Sequence, residues 1–177
     1  MFDEWHEYFF MIGSSAAALI GLMFVVVTLT AGTDRRESER GKHLYTSPIV
    51  WHLGVVLLLS GCAIAPTISA HFYGAIAGAA AVLGIGMCGR NAFGIARTRI
   101  SGAENASFDM WWYGIVPDLV YIGLAVAAFG ALTNAAWAAS AVAAALMALL
   151  LVSIHGEWDL VTFLAPRAPA SGERSEK

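Results

Sequence analysis

The sequence predicts an all-α fold, a polytopic transmembrane helical bundle with five spans. Three observations lead there. Hydrophobic residues make up 58% of the 177 residues and charged residues only 13%, about half the ~25% share of charge in soluble domains. The apolar residues fall in long uncharged runs, more than one water-soluble core of this size can hide. All ten Lys and Arg residues fall on one side of those runs: Arg35, Arg36, Arg40, Lys42, Arg90, Arg97, Arg99, Arg167, Arg174 and Lys177.

The first span is read from Phe9 to Ala31, long enough to cross a hydrocarbon core of ~30 Å at ~1.5 Å per residue. Tyr8, Phe9 and Phe10 are placed at its outer edge, where aromatic rings favour the headgroup region. Thr33 to His43, dense in both charge signs, reads as a solvated loop. The second span runs from Ile49 to Pro66, where proline ends it. The third runs from Phe72 to Ala96, and Arg97 to Arg99 lead into a polar loop that ends near Asp109. The fourth runs from Trp112 to Leu132, after an aromatic boundary of Trp111, Trp112 and Tyr113. Thr133 and Asn134 make a very short turn, and the alanine-rich fifth span runs from Ala135 to Ile154. Glu157 to Leu164 is amphipathic. From Pro166 to Lys177 the composition is that of a disordered cytoplasmic tail, which leaves residues 1–165 as one membrane domain.

Lys and Arg collect on the cytoplasmic side of a membrane protein. Five spans therefore place the N-terminus outside and the C-terminus inside. The outer segments Met1–Tyr8, Thr67–His71 and Thr133–Asn134 carry no Lys or Arg. The aromatics agree, with Trp5, Tyr73 and Trp137 outside and Trp51, Trp112 and Trp158 inside. The two short turns leave an alternative of four spans plus a re-entrant or interfacial helix. The N-terminus lacks the basic region of a signal peptide, so the first span is read as a retained anchor. The positive-inside bias and the lack of a β-barrel pattern favour an inner or plasma membrane.

Small residues mark the helix-packing faces, because close backbone approach holds helices together in lipid. Gly13, Ala17 and Gly21 recur at four-residue spacing in the first span, and Gly74 and Gly78 in the third. Ala136, Ser140, Ala144 and Ala148 continue the pattern in the fifth. Such stripes serve tight packing within one bundle or contact between protomers.

Ionisable groups at membrane depth are costly and face protein or water. Arg90 and Asp118 lie at matching depths in two consecutive antiparallel spans, and the sequence predicts an ion pair between them. Such a pair is a structural clasp or an ion, proton or substrate site. Pro117 frees a carbonyl near Tyr113, which suits a kink. Tyr121 lies within reach of a hydrogen bond to Asp118. His52, His155 and Asn91 complete a candidate polar collar near the inner face, with Glu157 and Asp159 beside it. Histidine titrates near neutral pH, so such a collar can relay protons; the plainer reading puts each histidine at the interface with its tip in water.

Cys62 and Cys88 lack the spacing of a redox or zinc motif and read as small apolar residues. The acidic N-terminus and His71 read as a solvated surface, not a cation site. No nucleotide loop, nucleophile motif or metal cluster is present, and no basic stripe suits nucleic acid. Gly84 and Gly86 read as close packing. The expectation is thus a non-enzymatic integral membrane protein without cofactor or metal. Its expected partners are the lipid bilayer, copies of itself and another membrane protein. The first functional reading is a homo-oligomeric channel or transporter with a polar site near the cytoplasmic face. The alternative is a non-catalytic accessory or scaffold protein that packs against another membrane complex.

Overall fold

A computed structural model describes residues 2–30, 35–99 and 111–164. It is an all-α bundle. A short 3-10 turn, Asp3–Trp5, leads into α1, His6–Thr30. Then follow α2, Arg35–Ile64, and α3, Ala70–Arg99. A π-helical turn, Trp111–Ile115, opens into α4, Val116–Leu132, and α5 is Ala138–Leu164. The expected polar loop after α3 and the tail from Pro166 lie outside the described residues.

Among the described residues, three stretches are long and apolar enough to cross a membrane: Asp3–Thr28, Ala70–Arg90 and Ala138–Thr162. Two further apolar helical stretches, Pro48–Ile64 and Val116–Leu132, are shorter. The bundle is therefore membrane-like and polytopic, with three stretches long enough to span and two shorter apolar helices where five spans were expected.

Two boundaries differ from the sequence reading for physical reasons. The charged segment after α1 is not a loop from Thr33 to His43, because α2 already begins at Arg35 and runs through Pro48. Arg, Glu and Lys are good helix formers, and charge alone does not end a helix. The irregularity expected at Pro117 takes the form of the π turn that precedes it. Proline lacks an N–H and crowds the carbonyl four residues back, so the backbone widens there.

The hairpin turns are specified locally. The Phe72 N–H donates to Ser69 Oγ, an N-terminal cap for α3. At the other turn Asn134 takes φ 54°. The Asn134 N–H then reaches the Ala131 carbonyl and the Ala135 N–H that of Gly130. These two bonds close the end of α4 in a Schellman motif.

The helices close in chain order, α1 on α2, α2 on α3, α3 on α4, α4 on α5 and α5 back on α1, while α2 and α5 also touch across the middle. Leu53, Val56, Leu124, Leu146 and Leu149 fill this centre with several fully buried alanines. Gly13 lies against Ser60 of α2, and Gly74 and Gly78 lie against α4. Ala17 and Gly21 of α1, Ala136 in the turn before α5, and Ser140 and Ala144 of α5 are instead exposed.

Two aromatic residues read as interfacial belong to the core. Phe9 and Tyr73 are fully buried. Phe2 packs on both, with ring centroids 5.2 Å from Phe9 and 4.5 Å from Tyr73. Tyr8 ties α1 to α5 at this end, its hydroxyl donating to the Ala143 carbonyl at 3.1 Å.

Candidate functional site

Two polar side chains inside the bundle meet between α2 and α4. His52 is 3% exposed and Tyr121 fully buried. His52 Nδ1 and the Tyr121 hydroxyl are 2.7 Å apart. The hydroxyl donates when the imidazole proton sits on Nε2 and accepts when it sits on Nδ1. The two rings lie 5.5 Å apart at 45°.

Each side chain is held by its neighbours. The ring of Tyr121 lies flat on the backbone of α3 at Gly84, where an added Cβ would run into ring carbons Cε1, Cδ1 and Cζ. Cys88, one turn further along α3, is buried within electrostatic reach of both Tyr121 and Asp118. The Trp51 indole N–H lies near the Tyr121 hydroxyl but has no hydrogen-bond partner of acceptable geometry. Asp118 is half-buried, and its Oδ1 is buried without a partner.

The expected Arg90–Asp118 ion pair does not form. Arg90 is exposed on α3, and Asp118 Oδ1 is left unpaired. Successive residues of a helix turn by about 100°, so Arg90 stands roughly 200° around α3 from Cys88. With Cys88 turned inward, Arg90 must face outward. Tyr121 likewise does not reach back to Asp118, because its hydroxyl is engaged by His52 across the bundle.

The collar does not gather into one site among the described residues. His155 packs on Trp112, with ring centroids 4.2 Å apart at 34°. Its Nε2 lies 3.5 Å from Asp159 Oδ2 one turn along α5. That is an ion-pair distance without hydrogen-bond geometry, because His155 Nε2 has no hydrogen-bond partner. The side chain of Asn91 lies outside the described residues. No group of three or more His, Cys, Asp or Glu able to hold a metal converges among the described residues.

Sequence reasoning picked out His52 and Tyr121 but not their pairing, and it missed Trp51 and Cys88 as their neighbours. One signal was present. A tyrosine and a histidine inside apolar stretches each need a partner, since an unpaired buried polar group is expensive.

The chemistry open to this site is that of a closed hydrogen bond. Tyr121→Phe leaves His52 Nδ1 buried without a partner and is expected to cost about 2 kcal/mol. Changing His52 to Leu as well removes the orphan and is expected to recover most of that loss. Unfolding of the two variants in mixed micelles checks this; equal loss in single and double variants would show the bond to be unimportant.

No protein-family model matches the chain, and neither a curated protein nor a solved structure shows significant similarity to it.

Proposed function

We propose that this chain is a non-catalytic accessory protein of an inner or plasma membrane, and that it works by packing against another membrane protein. It crosses the membrane five times with its N-terminus outside, the two shorter helices included. The observation that carries this reading is the outward placement of small residues on two neighbouring helices. Ala17 and Gly21 of α1 and Ser140 and Ala144 of α5 are exposed, and nothing lies within 4 Å of a Cβ built at Gly21. In lipid, large side chains pack as well against acyl chains as against protein, but small ones let another helix approach closely. The buried His52–Tyr121 pair points the same way, because its two groups satisfy each other.

A homo-oligomeric channel or transporter is the second reading. It rests on the unpaired Asp118 Oδ1, since carboxylates at membrane depth often line pathways.

Reconstitution into vesicles separates the two. The accessory reading expects no ion or proton flux above that of empty vesicles, for the native chain and for Asp118→Asn alike. Flux that Asp118→Asn abolishes or re-tunes establishes the channel and sinks the accessory reading. A photo-crosslinker at Gly21 or Ser140 is expected to give one adduct of defined mass in native membranes, and one at Val82 none. An adduct of twice the chain mass identifies the partner as a second copy.

A further inference from the structure

A second polar group stands apart from the His52–Tyr121 site. Where α1 nears its end and α5 its C-terminus, the two helices leave a groove of about 310 Å³. Met23, Val26, Ile154, Leu160 and Trp158 line it with Glu157. Met23 and Leu160 are buried at its floor, and Trp158, 69% exposed, stands at its rim. Its volume lies within the range of small-ligand clefts, about 300–1,000 Å³. Its lining is apolar save for one carboxylate, and Glu157 Oε1 is buried there without a hydrogen-bond partner.

A buried carboxylate oxygen without a donor is costly, so an occupant that brings one is favoured. The groove asks for an apolar body and a cationic donor at one end. We infer that it binds a bilayer phospholipid with a primary ammonium headgroup, of the phosphatidylethanolamine type, whose ammonium pairs with the Glu157 carboxylate on the groove wall. Its acyl chain lies over Met23 and Leu160. A primary ammonium carries three N–H donors, as a lysine side chain does. The rim indole of Trp158 suits headgroup depth. Such a lipid needs no path through water, because the groove opens on the outer surface of the bundle. This inference does not depend on the accessory reading, since it concerns a different face chemistry and a lipid occupant.

The test is native mass spectrometry on the delipidated full-length chain. It is titrated with phosphatidylethanolamine, phosphatidylcholine and phosphatidylglycerol of identical acyl chains. The choline headgroup keeps the positive charge but has no N–H, and the glycerol headgroup has neither. Phosphatidylethanolamine is expected to bind about ten-fold more tightly than either, the scale of one charge-assisted hydrogen bond. Glu157→Gln is expected to bring the three lipids level. Equal binding of all three by the native chain, or a preference that survives Glu157→Gln, overturns the inference. A groove filled by another protein's helix gives the first of these results. Val161→Trp, at an exposed lining position, fills the groove while keeping the carboxylate and guards against misfolding of Glu157→Gln. It is expected to abolish the preference, and a preference that persists places lipid binding elsewhere and overturns the assignment.

Discussion

Gly84→Ala is expected to destabilise the bundle by about 2 kcal/mol, while Gly86→Ala, two residues on, is neutral or mildly stabilising. Alanine is the better helix former by about 1 kcal/mol at either position. At Gly86 nothing lies within 4 Å of the added methyl, so only that gain remains. At Gly84 the methyl meets the Tyr121 ring. The ring cannot swing aside, because it is fully buried and its hydroxyl is held by His52 at 2.7 Å. Overpacking of about 3 kcal/mol then outweighs the gain in helix propensity. Unfolding in mixed micelles gives both values. In the Gly84→Ala background, Tyr121→Val opens the space again, so the two changes are expected to be strongly non-additive. A Gly84→Ala variant as stable as Gly86→Ala would mean that the ring does not lie against α3.

Gly74→Ala is expected to have a similar effect, again about 2 kcal/mol net, for a different reason. Its methyl would stand 2.9 Å from the Ala128 carbonyl oxygen and 3.0 Å from the Leu132 backbone nitrogen. Backbone cannot rotate away, so α3 and α4 must part along their length. Gly130→Ala is the informative contrast. Its methyl comes closer still, 2.7 Å from Cη2 of Trp137. Trp137 is 48% exposed, however, and can turn outward. Gly130→Ala is therefore expected to cost less than Gly74→Ala despite the shorter approach. Gly78→Ala, with 3.9 Å to the Ala128 methyl, is expected to be tolerated. The reverse order of stabilities would show that helix separation is cheaper than a tryptophan rotation.

Glycines of such different consequence look alike in the amino-acid sequence. Depth along each helix is legible there, because apolar runs and their polar ends fix it. The short turn at Asn134 is legible too, and so is an irregularity near Pro117. Rotation about each helix axis is not. Four-residue spacing puts Gly13, Ala17 and Gly21 in one stripe, yet Gly13 lies against Ser60 of α2 while Ala17 and Gly21 are exposed. Matching depth makes Arg90 and Asp118 an attractive pair, yet the inward turn of Cys88 sends Arg90 to the outside. Low hydrophobic contrast around the helices explains the difficulty. A helix in lipid is apolar on every side, so periodicity does not say which side faces protein. The helical start of α2 at Arg35 is hidden for the opposite reason, because dense charge resembles a loop while its residues favour helix.

The unequal helices have a consequence for the membrane itself. The 17 residues of α4 rise only about 25 Å at ~1.5 Å per residue, against a hydrocarbon thickness of ~30 Å. Where α4 meets a bilayer, the π turn that precedes it supplies part of the missing length, and the bilayer thins over the rest. Such thinning costs a fraction of a kcal/mol per ångström of mismatch. Lipids with shorter chains match that contour without deformation.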